Sequence, residues 1–314
     1  MAENVAAAAA ETEGRVEKNI LLVIEYDGTD FHGWQKQPEE RTVQGEIEHV
    51  LKYIAGHDVS INGTSRTDSG VHALGQCATF KWDCPIPTEK LAEVMNRRFG
   101  AGGTGRSGAP GDIRILEARE VDPEFHARFS CAGKTYKYII DGTGNIFDRK
   151  HVYHFNEPLD IEAMRRAASY IVGTHDFKSF ETAGGIQRET TVRTITKLVI
   201  DTESVPVRGT ESASVSALKN AEVKGDSENG AAFDRVVIRV TGDGFLYNMV
   251  RIMVGTLIET GTGKRNPDDM PQTLAACDRS KAGYTAPPQG LYLEKIYFDR
   301  NELPGISQLE AESE

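Results

Sequence analysis

Hydrophobic positions along the chain follow two different spacings, which predict strands and amphipathic helices in turn. The apolar, β-branched run ILLVIEYDG at 20–28 ends in Asp-Gly and predicts a strand followed by a turn. A helix is predicted next, with Thr42 as its N-cap and Gly56 as its stop, because five apolar residues recur there at helical spacing: Val43, Ile47, Val50, Leu51 and Ile54. A strand near 71–80, a helix that begins at Thr88 and a strand over 112–120 complete this part of the chain.

The rest of the chain repeats this mixture of elements. Strands are predicted near 134–140, 151–155, 192–200, 235–242 and 291–298, and helices near 160–172, 245–260 and 267–279. Strands that follow one another directly imply antiparallel pairing, which favours the α+β class over a doubly wound sheet. We therefore expect two similar halves, residues 19–132 and 133–300, each an antiparallel or mixed sheet backed by helices.

Four segments are expected to form tails or loops. Residues 1–18 are predicted to be a disordered tail, residues 203–232 a flexible insertion and residues 301–314 an acidic C-terminal tail. Residues 100–111 contain six glycines and are predicted to form a mobile loop. Neither 100–111 nor 203–232 can bury enough apolar surface to offset the entropy lost on ordering.

The distribution of charge changes the meaning of the acidic composition. The formal net charge is −11 at pH 7, which by itself argues against a nucleic-acid partner. Residues 1–18, 203–232 and 301–314 carry −2, −2 and −4 of this charge, so the remaining body carries only −3. Basic residues form three clusters in that body: Arg97, Arg98 and Arg106; Arg119, Arg128, Lys134 and Lys137; Arg149, Lys150, Arg165 and Arg166. These clusters favour a polyanionic partner.

The sequence argues against a metal site, a dinucleotide site and a membrane span. Four scattered cysteines form no C-x-x-C pair, and His151 and His154 would face opposite sides of a strand. The letters GAGGTG at 100–105 match a dinucleotide fingerprint, but they follow a helix rather than a strand. No apolar run reaches the roughly 18 residues of a span, and the N-terminal segment lacks a signal or transit pattern. We expect an intracellular protein without a metal; the cytosol is favoured, and an organelle or the nucleus stays open.

Five separated motifs carry a resemblance to a known family. In chain order they are EYDGTDFHGWQKQPEERTVQG, SRTDSGVHALGQ, FHARFSCAGKTYKYII, GDGFLYNMVRIMVGTLIETG and PPQGLYLEKIYF. In this order, and over about residues 19 to 300, the chain resembles the TruA-like family of tRNA pseudouridine synthases. The resemblance implies two α/β halves joined around a central cleft, where uridine in the anticodon arm of tRNA is isomerised without a cofactor. It also implies a homodimer that grips one tRNA with both subunits.

The same motif matches imply roles for five residues. Asp68 takes the place of the catalytic aspartate, and Arg251 matches the arginine that pairs with it. Tyr136 matches the tyrosine that stacks on the target base, Leu291 the pocket wall, and Arg66 an arginine associated with base flipping. The chemistry is consistent with these residue types, since an arginine beside a carboxylate keeps it ionised and an aromatic face can hold a detached base. Taken singly, Tyr136 and Leu291 are each typical of core positions.

Two other functions remain open at this level. The first is an RNA-binding module that keeps the fold without the chemistry, which the net negative charge and the low-complexity loops suggest. The second is a carboxylate-dependent glycosidase or nucleosidase, although no second carboxylate is evident near Asp68. Tight tRNA binding without product would favour the first, and release of free uracil would favour the second.

Overall fold

The computed structural model of the protein describes residues 17–100, 111–182, 189–205 and 235–312. The predicted N-terminal tail and the two predicted loops at 100–111 and 203–232 lie almost wholly outside these residues. Two compact units are present: unit 1 comprises Met1–Ala132 and Leu293–Asp299, and unit 2 comprises Gly133–Tyr292 and Arg300–Glu314. Within the described residues, every helix is too short or too polar to cross a membrane.

Unit 1 is an antiparallel sheet with two helices. Its elements are β1 (Lys18–Tyr26), α1 (Val43–Ala55), β2 (Asn62–Gly63), β3 (His72–Trp82), α2 (Thr88–Phe99) and β4 (Ile113–Val121). Strand β1 lies between β3 and β4, with Ile20 opposite Phe80 on one side and Glu120 on the other. Because both of its edges are paired, β1 is the most continuously apolar strand of this unit and is buried from Asn19 to Leu22.

The first helix forms where its local signals place it. The Thr42 side chain accepts a hydrogen bond from the Gly45 N–H, and Gly56 ends the helix in the left-handed conformation at φ 81°. Val43, Ile47 and other apolar residues at the predicted positions are buried. The predicted helix and both of its ends are therefore confirmed.

Unit 2 contains further strands, which pair mainly antiparallel, and most of the helices. Its elements are β5 (Gly133–Asp141), β6 (Tyr153–His154), α3 (Ile161–Ser169), β7 (Gly173–Asp176), β8 (Val192–Glu203), β9 (Arg235–Gly242), α4 (Met249–Gly261), α5 (Met270–Ala275) and α6 (Ile306–Glu312). The strand order is β5-β9-β8-β7, and β6 adds a short parallel pair to β5. Strand β10 (Leu291–Tyr297) contributes its first two residues to unit 2 and the others to unit 1, where it lies beside β3. The prediction of the α+β class is confirmed.

Several elements of unit 2 differ from the sequence-based prediction. The strand expected at 151–155 has two residues, and the helix expected at 245–260 begins only at Met249. The helix expected at 267–279 is a 3₁₀ turn, Pro267–Asp269, followed by the six residues of α5. Strand β7 was not predicted, nor was helix α6 within the segment expected to be an acidic tail. That segment is anchored because Leu303 and Ile306 are buried.

Candidate active site

Asp68 lies in the connection between β2 and β3, on backbone that is held immediately before it. The carbonyl oxygen of Thr67 accepts a hydrogen bond from the Trp34 N–H at 3.1 Å. The Thr67 hydroxyl lies 2.6 Å from the Tyr26 hydroxyl in the core of unit 1. The carboxylate-bearing residue itself is half-buried. Asp68 is therefore partly exposed on backbone that is held in place, and a catalytic carboxylate requires such a fixed position.

A buried amide fixes the start of the same connection. Gln76 is fully buried; its Oε1 accepts hydrogen bonds from the Ser65 and Cys77 N–H groups, and its Nε2 donates to the Ser65 carbonyl at 2.7 Å. Arg66, the next residue, is exposed and has no ion-pair partner within the part of the chain that the structure describes. Arg66 and Asp68 thus share one anchored loop, with the guanidinium in solvent.

The FHGWQ segment at 31–35 packs against the far side of this loop. The Phe31 carbonyl accepts hydrogen bonds from the Ser69 hydroxyl at 3.2 Å and from the Gly70 N–H at 3.4 Å. Gly33 has φ +86°, and a Cβ there would lie 2.7 Å from the Thr67 carbonyl oxygen. Only glycine combines this conformation with so close an approach. The first quoted motif therefore supports the Asp68 loop, a role that sequence analysis did not assign to it.

The two tyrosines of β5 have different environments. Tyr138 is fully buried, donates its hydroxyl to the Pro287 carbonyl at 2.8 Å, and has a pKa raised by burial. Tyr136 is 7% exposed, and its ring meets Phe245 edge to face at 5.1 Å between centroids. Both tyrosines are thus buried, Tyr138 completely and Tyr136 almost so, and Tyr136 is the one that the resemblance matches to the base-stacking tyrosine.

The guanidinium of Arg251 is held from two sides within unit 2. Its Nε donates to the Ala286 carbonyl at 2.7 Å, and its NH1 nitrogen donates to Asn248 Oδ1 at 2.8 Å. Asn248 adopts the left-handed conformation at φ 59° just before α4 and also donates through Nδ2 to the Thr182 hydroxyl at 3.4 Å. Sequence analysis missed both Asn248 and Ala286. An amide three residues before the arginine, in NMVR, was the signal for the first.

Close packing of backbone explains why the Ala286 carbonyl reaches Arg251. A Cβ on Gly255 would lie 1.9 Å from the Tyr284 carbonyl oxygen, so only glycine lets this segment approach α4. The Thr256 hydroxyl also accepts a hydrogen bond from the Gly283 N–H at 2.8 Å. These contacts hold the chain before β10 against the helix and so position the hydrogen-bond acceptor of Arg251.

Leu291 is the first residue of β10 and follows Gly290, which packs against Tyr138. It is 5% exposed and follows the 3₁₀ turn Pro288–Gly290. A Cβ on Gly290 would lie 2.7 Å from the Tyr138 ring and 2.9 Å from the Ile139 carbonyl oxygen. Within unit 2, the segment from Tyr284 to Leu291 therefore lies against Tyr138 and Arg251 and ends in Leu291 itself. Within unit 1, Asp68 and Arg66 lie in one loop.

Several bases of the predicted clusters are engaged by acids of the protein itself. Arg166 pairs with Asp268 at 2.6 Å, and Arg97 pairs with Glu93. Arg106 lies outside the described residues. Exposed pairs of this kind contribute little to stability.

Comparison with known proteins assigns the chain to a family. The family model described as tRNA pseudouridine synthase matches residues 22–130 and 167–299. The chain is 42% identical over 284 residues to the tRNA pseudouridine synthase A of Acetivibrio thermocellus, an alignment that covers 90% of this chain and 100% of that protein.

Two further relatives give the same result. The tRNA pseudouridine synthase A of Thermoanaerobacter sp. strain X514 is 41% identical, and that of Brevibacillus brevis is 40% identical; each alignment covers 90% of this chain and 100% of the relative. The family and the enzyme class predicted from the five motifs, an isomerase acting on tRNA, are confirmed. The chain belongs to the tRNA pseudouridine synthase family.

Proposed function

We propose that this protein converts uridine to pseudouridine in the anticodon arm of tRNA, with Asp68 as the catalytic carboxylate. Membership of the family supports the reaction. The placement of Asp68 supports its role, because the residue is half-buried on backbone that Trp34 and Tyr26 hold through Thr67. The anticodon arm and the central cleft between the two halves come from the resemblance alone and stay predictions.

The reaction is an isomerisation that needs no redox partner. The bond between the ribose C1′ and the base N1 breaks, and a bond between C1′ and C5 forms on the same base. C5 loses a proton and N1 gains one, so atoms and electrons balance. A carboxylate can promote the first step by attacking the sugar carbon or by taking a proton from the sugar. Both roles require an ionised, well-placed acid.

The remaining residues act in this proposal on the same uridine. Arg251 pairs with Asp68 and keeps it ionised, because an opposite charge nearby favours the charged form of an acid. Tyr136 stacks on the base and Leu291 closes the pocket, so that the detached base neither diffuses away nor meets water. Arg66 helps to hold the nucleotide out of its stack, at the cost of a few kcal/mol that base flipping requires.

Replacement of the carboxylate tests the proposal directly. Unmodified tRNA is incubated with the wild type, Asp68→Asn or Asp68→Ala, and pseudouridines are mapped by carbodiimide treatment and sequencing. We expect the wild type to mark uridines in the anticodon arm and both variants to lose more than about 10³-fold in rate. Asp58→Asn is the matched control, because Asp58 is an exposed carboxylate in the same unit that pairs with Lys52.

Each alternative function has its own outcome in this assay. If Asp68→Ala marks as many uridines as the wild type, the assignment of the carboxylate is wrong. Tight tRNA binding without any mark would indicate a non-catalytic RNA-binding module, and free uracil would indicate a nucleosidase. Marks outside the anticodon arm would retain the enzyme and reject the proposed position.

We also propose that two copies of the chain grip one tRNA and that the protein acts in the cytosol. A dimer would pool the basic clusters of two protomers, and each protomer carries only −3 outside residues 1–18, 203–232 and 301–314. Light scattering of the protein with and without tRNA measures the stoichiometry.

A further inference from the structure

Phe129 is the most exposed large hydrophobic residue among those described. It is 79% exposed, whereas phenylalanines are mostly buried in folded proteins. It lies in the turn at 126–130, after β4, and no role has been assigned to it above. Its neighbour Arg128 is also exposed and places its guanidinium carbon 5.8 Å from the centre of the Phe129 ring.

The turn beneath Phe129 is fastened at several points. Ala127 is fully buried; its N–H donates to the Thr79 hydroxyl at 3.2 Å, and its carbonyl accepts from the Thr64 hydroxyl at 3.1 Å. The Asn19 side chain donates to the Phe125 carbonyl at 2.8 Å. The aromatic ring is thus exposed on a fixed base and is not the tip of a loose loop.

His126 orients the ring from within the turn. Its Nδ1 accepts hydrogen bonds from the N–H groups of Arg128 at 3.1 Å and of Phe129 at 3.4 Å. Its ring lies 4.4 Å from the Phe129 ring, tilted by 36°. A side chain held in this way loses little conformational entropy when it stacks on a partner.

The turn is also tied to the loop that carries Asp68. Thr64, whose hydroxyl binds the Ala127 carbonyl, stands two residues before Arg66 and four before Asp68. Within the described ranges 17–100, 111–182, 189–205 and 235–312, neither Arg128 nor Arg66 has an ion-pair partner. An exposed aromatic ring and two uncompensated guanidiniums therefore stand on connected backbone.

We propose that Phe129 and Arg128 form a stacking platform for an unpaired nucleotide of the RNA substrate, adjacent to the target uridine. Phe129 stacks on the base and Arg128 contacts its phosphate, the combination by which proteins hold single-stranded nucleic acid. Every base has a face that can stack, so the platform contributes affinity with little sequence preference. This inference rests on the proposed function in two respects, that the substrate is tRNA and that its target uridine lies at Asp68.

Affinity for tRNA tests the platform independently of turnover. Dissociation constants for unmodified tRNA are measured with Asp68→Asn protein carrying Phe129→Ala, Phe129→Leu or Phe129→Trp. We expect Ala and Leu to weaken binding by about 5- to 100-fold and Trp to bind within about threefold of the parent, because Trp retains a stacking face. Phe147→Ala is the matched control, since Phe147 is 78% exposed, and it should leave the affinity unchanged.

Three outcomes would overturn the platform. If Phe129→Ala binds tRNA as tightly as the parent, Phe129 does not contribute to binding. If Phe129→Leu binds as tightly as the parent, the contact is apolar and does not depend on stacking. If Phe129→Ala changes the molar mass of the assembly in light scattering, the ring belongs to a contact between copies of the chain. This result would also contradict the stacking platform. Failure of the wild type to form pseudouridine would refute the proposed reaction but leave these binding results standing.

Discussion

Asn248 holds Arg251 from a backbone conformation that few side chains tolerate. Its left-handed φ of 59° directs Oδ1 to the guanidinium at 2.8 Å. Asparagine occupies this conformation more easily than most residues, because its short polar side chain bonds locally. We infer that Asn248 positions Arg251 and does not itself act on the substrate.

Two substitutions separate this positioning role from backbone strain. Asn248→Gly keeps the left-handed conformation and removes the acceptor, whereas Asn248→Ala removes the acceptor and adds roughly 1 kcal/mol of strain. We expect both variants to lose about tenfold or more in the single-turnover rate, because a hydrogen bond to a charged group is lost. Both variants should melt lower than the wild type, because both lose the hydrogen bonds of the Asn248 amide. Wild-type turnover by Asn248→Gly would show that Arg251 needs no such support.

At the scale of elements, local signals determined what could be predicted. Helix α1 was predicted with both ends because Thr42 and Gly56 act within a few residues of their own positions. Strand β7 was missed because its sequence, GTHD, carries no apolar alternation and it forms by pairing with β8. The motifs pointed to Asp68 and Arg251, but the support from the Ala286 carbonyl could not be predicted, since a backbone acceptor leaves no trace in the side-chain pattern.

The packing of α4 gives a prediction at this scale. Gly→Ala inside a helix ordinarily stabilises by up to about 1 kcal/mol. At Gly255, however, a Cβ would lie 1.9 Å from the Tyr284 carbonyl oxygen. We expect Gly255→Ala to destabilise the protein by about 2 kcal/mol or more and to lower activity, because the chain that supports Arg251 must move.

Thermal unfolding and turnover together check this prediction. Lys90→Ala in α2 is the control, because Lys90 is exposed and its loss should change stability by less than about 0.5 kcal/mol. A Gly255→Ala protein that melts higher than the wild type would show that the segment can move away from the helix without loss.

At the scale of the whole molecule, net charge and local charge make opposite predictions for RNA binding. A net charge of −11 repels a polyanion, yet Arg66 and Arg128 are exposed without ion-pair partners in the described parts of the chain. We expect these exposed arginines to outweigh the net negative charge, because basic side chains that bind phosphates release counterions from the RNA. The dissociation constant for tRNA should then rise at least about tenfold between roughly 50 and 200 mM salt. An affinity that does not change with salt would assign binding to uncharged contacts.

The fastening of the Asp68 loop has a consequence for the choice of substrate. With Thr67 and Ser65 bound to the body of unit 1, Asp68, the catalytic acid of our proposal, has little freedom to move toward a uridine. The tRNA must then deform instead of the protein. We therefore expect the rate of modification at each uridine to depend on how easily the surrounding RNA deforms rather than on its nucleotide sequence. Uridines in flexible stems should be modified faster than uridines in rigid stems.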